Sequence, residues 1–196
     1  MQERRQELTK EEARKEALLK RDALKEDVIN SGSRIIFDKL KALLPYQEAE
    51  NILIYASMRS EVITDEIISD ALLEGKKVFC PKVVDRKNGI MKFVKIHAIE
   101  DLKEGYFGIR EPEITDDYLE PSFEDGESIV IMPLVCFDDR KNRIGYSGGF
   151  YDRYLAKHNN LKTIAIAFEC QHVEGQIHVN DFDIAPDMIV TEESIY

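Results

Sequence analysis

Residues 51–80 read NILIYASMRSEVITDEIISDALLEGKKVFC, and this stretch decides the fold. Asn51 to Ala56 is a short apolar run rich in strand formers. After a polar loop, Thr64 opens a helix on which Ile67, Ile68, Ala71 and Leu72 recur at helical spacing, and Gly75 closes it. Val78-Phe79-Cys80 is the next strand. A strand, a helix and a strand in that order predict a right-handed parallel crossover, whose functional loops leave the carboxyl ends of the strands. Met58 to Glu61 lies at such an end.

Towards the N-terminus, Ala13, Ala17, Leu24 and Val28 recur inside a densely charged segment. One long amphipathic helix is therefore expected from Leu8 to Val28, ended by Asn30-Ser31-Gly32-Ser33. A second helix follows, with Ile36, Leu40 and Leu43 or Leu44 on one face and Pro45 as its stop. Towards the C-terminus, Asp85-Arg86-Lys87-Asn88-Gly89 reads as a hairpin turn and Ile90 to Ile96 as a strand, while Pro112 and Pro121 punctuate a loop-rich stretch. Residues 85–127 are expected to form an excursion from the core. Ile129 to Met132, Thr163 to Phe168 and Met188 to Val190 lack clear alternation, as central parallel strands do. The expected fold is α/β: a three-layer α/β/α sandwich with a mainly parallel, Rossmann-like sheet.

The chain has 196 residues, 43% of them hydrophobic, which suits one domain with its own core. A formal charge of −11 argues against a nucleic-acid partner, because backbone phosphates need a basic face. The longest apolar run, Ile129 to Phe137, contains Pro133 and falls far short of the roughly 20 residues that cross a bilayer, so no membrane partner is expected. The charged start, Met1-Gln2-Glu3-Arg4-Arg5, carries no apolar secretory stretch; a cytoplasmic monomer is expected. Cys80, Cys136 and Cys170 form no Cys-x-x-Cys pair and read as ordinary buried thiols. His172 and His178 beside Cys170 fit no closed zinc pattern.

The chemistry concentrates in Arg143-Ile144-Gly145-Tyr146-Ser147-Gly148-Gly149-Phe150-Tyr151-Asp152-Arg153. It follows a buried strand and the polar turn Asp138 to Asn142, and it leads into a helix with Tyr151, Tyr154, Leu155 and His158 on its apolar face. Glycines at such a junction let backbone approach a bulky anion, and the unpaired N–H groups of the first helical turn point at it. Arg143 and Arg153 can add charge-assisted contacts. The pattern matches neither standard nucleotide loop, and a tight structural turn needing positive φ explains the glycines equally well. Asp152 adds to the phosphate reading: beside phosphates a carboxylate is repelled unless Mg²⁺ lies between, and the run Asp181-Phe182-Asp183 can supply a second ligand.

The stretch from Phe137-Asp138 through Asn142 to Tyr154 resembles the signature of the 5-formyltetrahydrofolate cyclo-ligase family, also called methenyltetrahydrofolate synthetases. Lys10-x-x-x-Arg14 is similar to the family's N-terminal element, with Ala13 where leucine is usual. Tyr55 with Glu61-Val62-x-Thr64 resembles its folate-side strand end, Gly108-Ile109-x-Glu111-Pro112 its middle loop, and Asp183, Asp187 and Thr191-Glu192 its C-terminal stretch. The resemblance makes residues 1–196 a single cyclo-ligase domain with residues 1–9 as an extension. Ser147 stands where glycine is common and Phe150 where tyrosine is common; Ser147 is small enough to be harmless, and Phe150 keeps a ring that can stack on a pterin.

The resemblance implies ATP-dependent closure of 5-formyltetrahydrofolate to 5,10-methenyltetrahydrofolate, with ATP as co-substrate and Mg²⁺ as cofactor. Lys10, Arg14 and Arg143, Ile144, Gly145, Tyr146, Ser147, Gly148, Gly149, Phe150 and Tyr151 are assigned in this way to ATP, with Arg143 and Tyr151 as catalytic residues. Ala56, Glu61, Tyr146, Ser147, Gly148, Gly149 and Phe150 are assigned to the folate, and Asp152 and Asp183 to Mg²⁺. Bland readings stand beside these: a solvated loop charge for Glu61, a solvated helix face for Lys10 and Arg14, and a surface lysine for Lys82, which lies at a strand end. Asp152→Ala is expected to weaken turnover far more than folding. A non-catalytic nucleotide- or folate-binding regulator on the same scaffold is the other class of function. The implied scaffold is also similar to that of sugar-phosphate isomerases and CoA transferases.

Overall fold

The computed structural model describes residues 9–105, 108–116, 118, 123 and 128–196. Residues 1–8 of the expected extension, and Pro121, lie outside them. The described chain begins α1 (Lys10–Asp22), α2 (Glu26–Ala42), α3 (Leu44–Glu48), β1 (Asn51–Ile54), α4 (Asp65–Leu73), β2 (Lys77–Asp85), β3 (Ile90–Ile96). It continues through the short strands β4 (Lys103–Glu104) and β5 (Arg110–Glu111) to β6 (Ser128–Pro133), β7 (Cys136–Phe137), β8 (Arg143–Ile144), α5 (Phe150–Lys157), β9 (Lys162–Ile166) and β10 (Met188–Val190).

The main sheet has six strands in the order β10-β9-β6-β1-β2-β3, and every pairing is parallel except that of β3 with β2. All four residues of β1 are buried because both faces are covered. Ile52 and Ile54 meet α2 and α4 through Ile36, Leu40, Ile67 and Ile68, whereas Leu53 faces Tyr154 and Leu155 of α5 on the other side. The crossover β1-α4-β2 forms as the sequence indicates, with Gly75 at φ 78° past the end of α4. No helix among the described residues is long and apolar enough to cross a membrane.

Two sequence expectations are corrected. The first helix ends at Asp22, and α2 runs straight through Asn30-Ser31-Gly32-Ser33. Of those residues, Gly32 and Ser33 are buried and serve close packing. Ser31 returns its hydroxyl to the Asp27 carbonyl at 2.8 Å, and Ser33 accepts the Ile63 N–H at 2.9 Å. Gly32 lies against Phe168, where a Cβ would come within 2.9 Å of the ring. Pro45 sits in the first turn of α3, where its missing N–H is harmless. Second, β3 is no excursion. The turn at Gly89 (φ 64°) returns the chain directly beside β2, so β3 becomes the antiparallel edge of the main sheet, with Phe93 buried 4.9 Å from the Tyr154 ring. The β4-β5 pair is a separate two-stranded sheet.

From β1 the chain builds outward through β2 to β3, then returns to β6 on the other side of β1 and proceeds to β9 and β10. Strand order therefore reverses between β1 and β6. Loops leaving the carboxyl ends of those two strands part there and open a crevice, the usual ligand position in open α/β sheets. One of these loops carries Glu61; the other leads to β7-β8 and the glycine segment.

Candidate active site

The glycine segment is held from below by Asp138, which is fully buried. Its Oδ1 accepts the N–H groups of Arg140 and Asn142, and its Oδ2 accepts the Asn142 side chain and the Ile177 N–H, each at 2.9 Å. The turn thus fastened delivers Arg143 and Ile144 in β8 and then the loop. Ser147 (φ 93°) and Gly149 (φ 60°) both take left-handed conformations. Gly148 lies under the Phe150 ring, where a Cβ would be only 2.2 Å from it. Phe150 therefore packs first on its own loop. Gly149 caps α5 without a side chain, so the first N–H groups of that helix are left for an outside acceptor.

The tight turn thus has its own structural use for the glycines, and Ser147 is not harmless. It adopts a conformation that glycine enters without strain and a side chain does not. Arg153 turns back to donate to the Gly148 carbonyl at 2.6 Å, so it braces the loop.

Arg143 is 7% exposed; its Nε donates to the Ile184 carbonyl at 3.1 Å and its Nη2 to Asp152 Oδ1 at 2.8 Å. The same Asp152 oxygen accepts the Ile184 N–H at 3.0 Å, which brings Asp152 beside the segment that carries Asp183. Asp183 in turn takes the Lys10 ammonium. Burial works to raise the Asp183 carboxyl, but the Asn180 N–H, Lys10 and Arg143 outweigh it and hold it below its ordinary value. Arg14 Nε donates to the Gly145 carbonyl at 3.0 Å. Lys10, Arg14, Arg143, Asp152 and Asp183 are thus one neighbourhood at the mouth of α5.

The other wall is the loop after β1. Ser57 and Thr64 clasp it by reciprocal bonds of 2.9 and 3.2 Å between each hydroxyl and the other's N–H. Ala56 is buried in its first turn, and Tyr55 donates to the Val62 carbonyl at 3.3 Å. Glu61 is 5% exposed and accepts the Met58 N–H at 2.9 Å. Burial raises its carboxyl above the ordinary value against the opposing pull of the Met58 N–H, Arg21, Tyr146 and Arg59. Glu61 is therefore no solvated loop charge. Beside this loop a cleft opens towards the β4-β5 pair, lined by Met58, Arg59, Leu102 and Arg110.

The two walls meet through Arg21 and Tyr146. Arg21 Nη2 donates to the Tyr146 hydroxyl at 2.6 Å, and its Nε to Ser60 Oγ at 3.0 Å. Sequence reasoning missed Arg21, because a charged residue near the end of a charged helix reads as solvated; its place four residues after Ala17 on the buried stripe was the available signal. Tyr151 is also informative: its hydroxyl is buried with no partner among the described residues, and burial, reinforced by the Glu61 charge, pushes it well above its ordinary value.

Other candidates fall outside. Lys82 pairs with Glu111 at 2.9 Å, and Glu111 also takes the Val83 N–H at 3.2 Å, so this pair fastens β5 to β2. Asp187 accepts the Thr163 N–H and hydroxyl at 2.7 and 3.0 Å, and Thr191 donates to Glu169 at 2.6 Å. These C-terminal residues hold strands together. Among the described residues no group of three or more His, Cys, Asp or Glu side chains forms a ready cation cage.

A model of the 5-formyltetrahydrofolate cyclo-ligase family matches residues 6–192. The chain belongs to that family. A 5-formyltetrahydrofolate cyclo-ligase of Haemophilus influenzae is 33% identical over 135 residues, covering 68% of this chain and 71% of the relative. One from Mus musculus is 31% identical over 170 residues and covers 83% of each. The solution structure of an Aquifex aeolicus 5,10-methenyltetrahydrofolate synthetase superposes with a TM-score of 0.77 at 28% identity, covering 95% of this chain and 91% of that one.

Proposed function

We propose that the protein closes 5-formyltetrahydrofolate to 5,10-methenyltetrahydrofolate at the expense of ATP, acting as a single cyclo-ligase domain and as a monomer in the cytoplasm. Its partners are the folate and the nucleotide. The observation that supports this reading is the contact of Arg21 with Tyr146 and Ser60, which ties the glycine loop to the loop that carries the buried Glu61. Retention of Gly145, Gly148, Gly149, Arg143 and Asp152 in one working arrangement favours an enzyme over a regulator.

The triphosphate rests on the open N–H groups of α5 and on the backbone of residues 144–149, flanked by Lys10, Arg14 and Arg143. The folate ring occupies the β1 side. Glu61 accepts its N–H groups, with Ala56 backbone and the residue 146–150 loop on the opposite face. A formamide oxygen leaves poorly as hydroxide and far better as phosphate. In the proposed route it attacks the γ-phosphorus and ADP departs; the folate nitrogen at position 10 then attacks the activated carbon, and phosphate is expelled. Alignment and charge neutralisation carry such a reaction, with no protein nucleophile. Burial keeps the Tyr151 hydroxyl protonated, so it serves there as a donor and not as a base. Arg143, fixed on Asp152, neutralises charge as it develops.

Asp152 and Asp183 fit Mg²⁺: both are hard oxygen donors, they flank the same contact at Ile184, and both bonds to Asp152 fall on Oδ1. The ion would screen the phosphates from these carboxylates and favour charge transfer to the leaving ADP. An oxygen label tests the route. With ¹⁸O in the formyl group, the label should appear in inorganic phosphate; label released to water instead would rule out attack by the formyl oxygen.

A further inference from the structure

The β2-β3 hairpin reaches the start of α5. Phe93 of β3 lies 4.9 Å from the Tyr154 ring and 6.4 Å from that of Tyr151, so the hairpin runs beside the helix. Its tip is a fixed turn, in which Asp85 accepts the Asn88 N–H at 3.0 Å and the Asn88 side chain at 2.7 Å. Gly89 follows, and it is buried although Arg86, Lys87 and Asn88 before it are exposed. The Arg153 guanidinium lies against it. A Cβ on Gly89 would come within 2.1 Å of Arg153 Nη1 and 2.8 Å of the Gly148 carbonyl oxygen, and a Cβ on Gly149 would come within 2.8 Å of the same Nη1. Two glycines far apart in sequence, at φ 64° and 60°, thus clear room for one guanidinium.

A surface arginine needs no such recess, because its stem can carry the charge into water. Here the recess fixes one bond, that from Arg153 Nη1 to the Gly148 carbonyl oxygen at 2.6 Å. The Gly148-Gly149 peptide is trans and planar, so its N–H points opposite to its carbonyl. With the carbonyl turned towards Arg153, the Gly149 N–H is turned away, and no acceptor for it is found among the described residues. Glycine on both sides leaves this peptide free to rotate once the brace is removed. A rotated peptide would present a carbonyl oxygen where an anion needs a donor.

We propose that Arg153 is a positioning residue for the nucleotide: held in place by Gly89, it locks the Gly148-Gly149 peptide with the Gly149 N–H aimed at a phosphate oxygen. This rests on the nucleotide assignment of the glycine segment made above. The hairpin tip then supports the phosphate seat without touching the phosphate.

The test labels the glycines with ¹⁵N and follows the Gly149 amide as Mg·ATP is added in the absence of folate, in wild type, Arg153→Gln, Arg153→Lys and Gly89→Ala. Thermal melts and KM values for ATP and for 5-formyltetrahydrofolate accompany it. In wild type the Gly149 amide proton should move downfield as it gains an anionic acceptor. Arg153→Gln should lose most of that shift and raise the ATP KM roughly three- to tenfold, the worth of one hydrogen bond. Its folate KM and Tm should stay near wild type, because Arg153 is exposed. Arg153→Lys, which keeps a donor, should retain part of the shift. Gly89→Ala should push the guanidinium aside and bring the same loss towards ATP, to which Arg153→Gln should add little. A wild-type Gly149 shift and ATP KM in Arg153→Gln, or a loss shared equally by ATP and folate that tracks a lower Tm, would overturn the proposal. If Gly89→Ala does not fold, Arg153→Gln decides alone. Mg·ATP that binds wild type without moving the Gly149 amide would overturn the proposal and leave the nucleotide assignment standing. Wild type that binds no Mg·ATP would remove that assignment, and this inference with it.

Discussion

Replacing Asp152 by alanine should damage folding as well as turnover, contrary to what the sequence alone suggests. Its Oδ1 is the anionic partner of Arg143, which is 7% exposed, and the acceptor for the Ile184 N–H. Removing the carboxylate strands a buried guanidinium, worth roughly 3–5 kcal/mol, and an amide, worth roughly 1–3 kcal/mol. The two belong to one network and do not add, and the Asp152 side chain is itself 19% exposed, so water replaces part of what is lost. A net loss of about 3 kcal/mol results. At roughly 2–4 °C per kcal/mol for a chain of this size, Tm should fall about 6–12 °C. Asp152→Asn keeps an oxygen for both donors and should lose only about 1 kcal/mol, while giving up the charge that Mg²⁺ needs. Thermal melts of both variants, alongside turnover titrated with Mg²⁺, separate the two roles. An Asp152→Ala protein within about 0.5 kcal/mol of wild type would refute the network argument; an Asp152→Asn protein with full turnover would refute the metal role.

Glu61→Gln should raise the folate KM roughly ten- to a hundredfold by removing a charge-assisted bond. It should also stabilise the fold. With the folded carboxyl raised, the stability from the protonated form is present below the ordinary carboxylate range and is lost as pH rises through the elevated value, so the gain in Tm should be larger near pH 8 than near pH 4. A lower Tm at both pH values would contradict this. Ser147→Gly should relieve strain at φ 93° and, after the greater freedom of glycine in the unfolded chain is subtracted, add about 1 kcal/mol in a denaturant melt; a loss of stability would show that the conformation is unstrained. Burial pushes the thiols of Cys80 and Cys136 up to about 12, so a thiol reagent near neutral pH should reach at most Cys170 in the native protein and all three cysteines after unfolding. Rapid labelling of two sites in the native protein would be inconsistent with that burial.

The crossover at residues 51–80 was legible because its apolar runs, Thr64 and Gly75 all act locally. The Asn30–Ser33 stretch was not, because Gly32 and Ser33 answer to Phe168 and Ile63, partners far away in sequence. The hairpin turn and the strand Ile90–Ile96 were legible, but the half-exposed texture of β3 hid that it forms the edge of the main sheet and not an excursion. At the site, Arg143 through Asp152 could be read as a tight loop leading into a helix because the glycines and the helix start are sequence-local features. Its coupling to Glu61 could not be read, since it passes through Arg21, a residue whose burial depends on where α1 lies. Lys82 illustrates the converse: a cation at a strand end looks available until Glu111 arrives from β5.

The central claim is that an anion seat at the start of α5 and a folate grip at Glu61 form one catalytic crevice. Its most direct test mixes the purified protein with 5-formyltetrahydrofolate and Mg·ATP and follows the near-ultraviolet absorbance of the methenyl product. A rise that requires ATP and releases one ADP per product is expected; no rise while the nucleotide still binds would contradict the enzymatic assignment.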